Sequence, residues 1–224
     1  MPENKKRIEA AYADCGIVPC DCSLQDGQLT FAYAEGDTLQ QIIERLVTTH
    51  RTQEITALLD TYRERISRPC TEPFEKTPAF EMVFGKTRLP DGLLAAKVSD
   101  IDLVFSNLIC EKEDRWVVID YEWTFSFPIP LHFILYRAYF FASHEIQPCE
   151  ELSLDRLLSN AGITEKEAAQ YRIMEQRFQT FVTGGKQMER DLLIPIGNRI
   201  IPIMEMEKAY REKETAKHRF PWRR

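Results

Sequence analysis

The sequence predicts an α+β fold, mainly helical. Three observations carry that expectation. Apolar residues recur at helical spacing over residues 39–46, 52–66 and 165–182, which marks amphipathic helices. Two β-prone segments, 17–23 and 28–34, flank the turn residues Gln25-Asp26-Gly27, as the arms of a hairpin do. A second pair of short apolar runs, 107–110 and 115–119, flanks a charged turn at 111–114.

Taken in order, residues 4–14 can form a first helix, with Ile8, Ala11 and Tyr12 on one face and Gly16 as its stop. The strand pair follows. Glu35-Gly36-Asp37-Thr38-Leu39 then ends the second strand and opens a helix, with Asp37 or Thr38 as its cap and Leu39, Ile42, Ile43 and Leu46 along one face. Residues 52–66 form the next helix through Ile55, Leu58, Leu59 and Tyr62. Residues 68–94 read as a Pro- and Gly-punctuated connection with one short apolar piece at 80–84. Beyond the second hairpin, the prolines of Phe127-Pro128-Ile129-Pro130 enforce an extended segment, and an apolar helix starts at Leu131. Helices are expected over 152–160 and 165–182, the latter stopped by Gly184-Gly185, and a charged one over 203–217.

With 44% apolar and 29% charged residues in a chain of 224, the composition is that of a globular protein with one substantial core. A net charge of -6 argues against a general nucleic-acid binder, which usually carries a basic excess. The opening Met1-Pro2-Glu3-Asn4-Lys5-Lys6 is charged, so no signal peptide is expected. The longest apolar stretch, 125–141, is broken by two prolines, His132 and Arg137, and reads as a buried helix rather than a membrane span. The six cysteines have no paired CxxC spacing, which points to free thiols in a reducing cytoplasm.

Chemistry concentrates in DIDLVFSN and RWVVIDYEW. A hairpin returns its two ends to one edge, so Asn107 and Asp120 should lie side by side, with Asp102 on the approach loop. Two carboxylates and an amide are hard oxygen donors, suited to Mg²⁺ and phosphate. On the neighbouring helix, Arg137 needs a counter-charge if buried, and Glu122 is the expected partner.

The order Asp102, Asn107 five residues on, and Asp120 thirteen further resembles the catalytic loop and metal-binding Asp of the protein-kinase-like fold. That resemblance implies Asp102 as the base and Asn107 and Asp120 as ligands of Mg²⁺ on bound ATP. Asp100 stands where the family usually has His, and Asp120-Tyr121-Glu122 replaces DFG. The stretch LTFAYAEGDTLQQII is similar to the family's hinge, which implies that Phe31, Tyr33, Ala34 and Glu35 receive the adenine. Neither a Gly-rich phosphate loop nor a Lys-bearing strand precedes it. Implied domains are therefore a small-lobe remnant with one helix and two strands at 1–34, a kinase-like large lobe at 35–185, and a helical extension at 186–224.

Asp120-Tyr121-Glu122-Trp123, Pro128-Ile129-Pro130 and the helix after them, with MEQRFQTFV further on, resemble a kinase-like module of bacterial cell-surface polysaccharide enzymes. These include the O-antigen-capping kinase–methyltransferase and large multidomain glycosyltransferases. The resemblance implies phosphoryl transfer to a sugar or polysaccharide hydroxyl, in the cytoplasm near the inner membrane, with a partner chain or domain supplying the rest of the small lobe. Two other readings stay open. One is a catalytically incomplete binding or assembly module. The other takes Asp100-Ile101-Asp102 as the DxD motif of a nucleotide-sugar glycosyltransferase. Residues 208–224, with seven Lys or Arg against two Glu and interleaved Phe220 and Trp222, are suited to peripheral contact with an anionic membrane.

Overall fold

A computed structural model of the chain describes residues 1–111 and 115–184. Two compact units divide the chain, Met1–Arg177 and Phe178–Arg224, and every element below except the end of the last helix belongs to the first. The expected helix at 203–217, the extension at 186–224 and the basic tail at 208–224 lie outside the described residues.

The fold is α+β and mainly helical, with seven α-helices and small sheets among the described residues. Helix α1 (Pro2–Tyr12) buries Ile8 and Tyr12, and the chain turns at Gly16, whose φ is 69°. The first expected strand is two: β1 (Ile17–Pro19) and β2 (Cys22–Gln25). β1 runs parallel to a strand a hundred residues away, whereas β2 pairs antiparallel with β3 (Gln28–Phe31). The break follows Pro19, which has no N–H for a ladder. The β2–β3 turn holds Asp26 and Gly27, both at positive φ, as a two-residue hairpin turn requires.

The short strand β4 (Asp37–Thr38) leads directly into α2 (Leu39–Thr48). Thr38 caps α2 in a full capping box: its hydroxyl accepts from the Gln41 N–H, and Gln41 Oε1 accepts from the Thr38 N–H. After α3 (Thr52–Ser67) comes β5 (Glu72–Pro73), and then α4 (Pro78–Phe84), a helix where the sequence suggested only a connection. Its start is local chemistry: Thr77 accepts from the Phe80 N–H, and Pro78 occupies the first turn. β6 (Leu94–Ala95) pairs with β5, and β7 (Ser99–Asp100) opens the candidate loop.

The expected hairpin is present as β8 (Leu108–Cys110) and β9 (Trp116–Val118), paired Leu108 to Val118 and Cys110 to Trp116. The main sheet has the order β1-β9-β8-β4, so segment 17–19 and segment 37–38 flank the hairpin on either side. β10 (Thr124–Phe125) then pairs antiparallel with β7, placing Thr124 opposite Asp100. Helix α5 (Leu131–Glu145) is apolar nearly all round and is the buried axis of the fold. α6 (Leu154–Asn160) and α7 (Glu165–Val182) pack after it.

Aromatic rings knit these layers together. Tyr62 of α3 meets Phe105 edge to face at 4.7 Å between centroids, and its hydroxyl donates to the Leu103 carbonyl at 2.7 Å. This hydrogen bond fixes the loop that carries Asp102 against the helical core. Among the described residues, no helix is long and apolar enough to cross a membrane. Cys15, Cys20 and Cys70 are buried, the other three are half-buried, and all six are free thiols.

Candidate functional site

The loop between β7 and β8 is built by its own polar side chains. Asp100 is fully buried and its Oδ1 accepts from the Asp102 N–H at 3.0 Å. A short 3₁₀ turn, Phe105–Asn107, closes the loop, with the Asn107 N–H donating to the Val104 carbonyl at 3.0 Å. The Asn107 side chain then reaches back across the loop, and its Nδ2 donates to the Asp102 carbonyl at 3.1 Å. An amide whose nitrogen is committed in this way has its oxygen left as an acceptor.

Asn107 and Asp120 meet as the hairpin requires. The Ile119 N–H donates to the Asn107 carbonyl at 2.9 Å, extending the β8–β9 ladder by one step and setting Asp120 at the open edge. Asp120 is exposed and has φ 55°, a left-handed conformation that a non-glycine residue adopts at a cost. The surroundings determine that conformation. Tyr121 is buried and donates to the Cys20 carbonyl at 2.7 Å, while its own carbonyl accepts from Thr124 Oγ1 at 2.8 Å and from Asn4 Nδ2 at 3.2 Å. The residue before Tyr121, Asp120, is thereby left exposed.

Asp102 is half-buried and held from the helical side. Arg137 of α5, only 4% exposed, places Nη1 2.7 Å from Asp102 Oδ1 and 2.6 Å from the Ile101 carbonyl, and Nε 2.7 Å from Glu175 Oε2 of α7. The pairing of Arg137 with Glu122 expected from sequence is therefore corrected. Glu122 is exposed, and Asp102 and Glu175 hold the guanidinium. Along the segment leaving β9, the inward side chain is Tyr121 and its neighbour Glu122 faces out. Burial raises the Asp102 carboxyl above its ordinary range, and the Arg137 charge opposes that rise.

The segment expected to receive adenine begins beside this group. Phe31 lies edge to face with Tyr121 at 6.5 Å, one residue from Asp120. Tyr33 is 91% exposed, Glu35 is exposed and Ala34 half-buried, in an extended stretch ending at Gly36. Gly36 packs its backbone on β8 so closely that a Cβ there would lie 2.3 Å from the Cys110 carbonyl oxygen. Phe31 is thus tied to Tyr121 beside the Asp120 turn.

A hydrogen bond joins Asn107 to the Asp102 backbone, and Asn107 and Asp120 lie at the same end of the β8–β9 pair. The structure does not bring Asp100 and Asp102 to one ligand as a DxD motif would, because Asp100 faces the core. Among the described residues, no group of three His, Cys, Asp or Glu side chains converges to hold a metal ion. Asn107 and Asp120, at the same end of the β8–β9 pair, carry hard oxygen donors. They fit Mg²⁺ that arrives on a nucleotide, since that ion keeps waters and phosphate oxygens and takes one or two protein ligands. Sequence reasoning missed Glu175 and the buried Asp100. The helical motif MEQRF contains Glu175, but nothing local marks it as the partner of Arg137.

No family model matches the sequence, and no curated protein matches it. Its own geometry therefore carries the functional reading.

Proposed function

We propose that the chain is a kinase-like module of bacterial surface-polysaccharide synthesis, transferring the γ-phosphoryl group of ATP to a sugar hydroxyl, with the rest of a small lobe supplied by another chain or segment. The observation that supports it best is the clasp of Asn107 on Asp102. The amide nitrogen binds the Asp102 carbonyl while the Asn107 carbonyl accepts from the Ile119 N–H, one residue before Asp120, which supports the reading of these three residues as one site.

In this reading Asp102 orients the acceptor hydroxyl and takes its proton through Oδ2, with Oδ1 fixed by Arg137. A bond forms between the sugar oxygen and the γ-phosphorus as the bond to the bridging β–γ oxygen breaks, and ADP leaves. Asn107 and Asp120 would hold Mg²⁺, which when bound neutralises charge on the phosphates. Phe31, next to Tyr121, borders the face where the base would lie.

A second reading, the binding or assembly module, is favoured by one observation. Tyr33 and Glu35, in the segment proposed to receive the base, are exposed. Calorimetric titration separates the two. Mg²⁺-dependent ATP binding to the intact chain, weakened tenfold or more by Asp120→Ala, is the expected result, a loss of about 1.4 kcal/mol. No detectable binding to the intact chain would refute autonomous nucleotide use, and tighter binding of a UDP- or GDP-sugar would favour glycosyl transfer.

A further inference from the structure

We propose that the cleft between α1 and the segments around β5 and β6 is a ligand site, taking a small molecule with a compact apolar body and a single negative charge. The inference goes beyond the reading of Asp102, Asn107 and Asp120, none of which lines this cleft.

The cleft encloses about 630 Å³, a volume typical of small-molecule sites. Three stretches of chain build it. Glu3, Lys6, Arg7 and Ala10 recur at three- and four-residue spacing and so share one face of α1. The other walls are Pro69, Thr71 and Glu72, on the way from α3 into β5, and residues 96–98, which join β6 to β7. These walls are held from behind. Ile8 and Tyr12, on the other side of α1, are fully buried, and Asn4 Nδ2 donates to the Tyr121 and Glu122 carbonyls at 3.2 and 3.0 Å. Arg68 Nη1 donates to the Asp14 carbonyl at 3.2 Å, joining the end of α3 to the chain just after α1. Glu72 pairs with Ala95 in the β5–β6 ladder. An occupant therefore meets a site already formed, and little ordering of the chain opposes binding.

The chemistry of the lining selects the occupant. Ala10, Ala11, Pro69 and Val98 are short apolar side chains, which leave the space open and favour an apolar body. Around them stand three cations, Lys6, Arg7 and Lys97, and two acids, Glu3 and Glu72. Arg7 pairs with Glu3, and Lys97 Nζ lies 3.9 Å from Glu72 Oε1. Each acid of the lining is thus matched by one cation, and the exposed Lys6 is the cation left over. An excess positive charge in a cleft of a chain with net charge -6 is a local reversal of sign, and it attracts an anion. A single negative charge suits it better than two, because Glu3 and Glu72 repel the second. A carboxylate on an apolar body has that chemistry.

Fluorescence titration of the full chain with anilinonaphthalene sulfonate, an aromatic monoanion, tests the site. Saturable binding is expected, weakened about tenfold or more by Lys6→Glu and by Ala10→Trp, which occupies the space. Leu24→Ser, at an exposed apolar position outside the cleft, should leave the affinity within about twofold. Lys6 and Ala10 are exposed, so both variants should melt with the wild type. Competition reads the charge. Naphthoate should displace the dye about tenfold more effectively than uncharged naphthalene methanol, and naphthyl phosphate no better than naphthoate. No saturable binding by wild type, binding that survives both cleft variants, or binding lost with Leu24→Ser would overturn the site. Equal displacement by the uncharged compound would overturn the requirement for an anion, and stronger displacement by the phosphate would overturn the single charge.

Discussion

Arg137→Leu is the sharpest perturbation of the candidate site. The guanidinium makes bonds of 2.7 Å to Asp102, 2.6 Å to the Ile101 carbonyl and 2.7 Å to Glu175, and it is 4% exposed. Leucine fills part of the volume but strips Asp102 of its counter-charge in a half-buried position and leaves the Ile101 carbonyl without its donor. Removing one partner of a buried ion pair costs roughly 3–5 kcal/mol. In a unit of this size each kcal/mol lowers the melting temperature by roughly 2–4 °C, so a fall of about 10 °C is expected. The loss must also depend on pH. Without the guanidinium the Asp102 carboxyl, already raised by burial, rises further. A raised acid contributes stability that is present below its unfolded value and is lost as pH increases through the folded one. The destabilisation is therefore larger at pH 8 than at pH 5, and adding Asp102→Asn recovers part of it. Urea denaturation at the two pH values, with Glu122→Gln as control, measures this. A loss of less than about 1 kcal/mol, or an equal loss from Glu122→Gln, would refute the assignment of the pair.

Two further predictions concern stability. Asp100 titrates at about 8 in the folded protein against an ordinary 3.8, so its contribution is complete below about pH 4 and is lost as pH rises to 8. Wild type should lose up to about 1.4 kcal/mol per pH unit across that window relative to Asp100→Asn, and parallel urea curves would contradict this. Gly36→Ala places a Cβ 2.3 Å from the Cys110 carbonyl oxygen at a φ of 148°. It should cost roughly 1–3 kcal/mol by pushing β4 off β8, and a variant as stable as wild type would mean that this approach is not made.

What could be read from the sequence was chemistry within a few residues. The hairpin of β8 and β9 follows from two apolar runs around a charged turn, and Thr38 with Gln41 three positions on is a capping box in plain text. Helix α4 had an equally local signal in Thr77-Pro78, hidden by the prolines and glycines around it. The division of the first expected strand was not legible, because the partner of β1 is β9, about a hundred residues along. The partner of Arg137 was not legible either. Glu122 is nearer in sequence than Glu175, and only the inward turn of Tyr121 shows that Glu122 must face out. A carboxylate with no exposed surface, such as Asp100, contradicts the usual placement of Asp and leaves no trace in residue order.

The charge balance around the loop connects these features. Burial raises Asp100 and Asp102, the charge of Asp120 adds to both rises, and Arg137 opposes them. One positive charge cannot satisfy three carboxylates in a partly desolvated loop. The arrangement distributes the excess by position. The innermost group, Asp100, is fully buried and pushed up to about 8 by that burial; the middle one, Asp102, shares the guanidinium with Glu175; the outermost, Asp120, is exposed. A cation arriving at the edge would meet Asp120, the exposed carboxylate of the three. Binding there would also reduce the repulsion that raises Asp100 and Asp102. A variant that neutralises Asp120 should therefore lower the titration of Asp100, and NMR of the carboxyl carbon in Asp120→Asn measures it directly. An unchanged midpoint would show that the outer and inner carboxylates are not electrostatically linked.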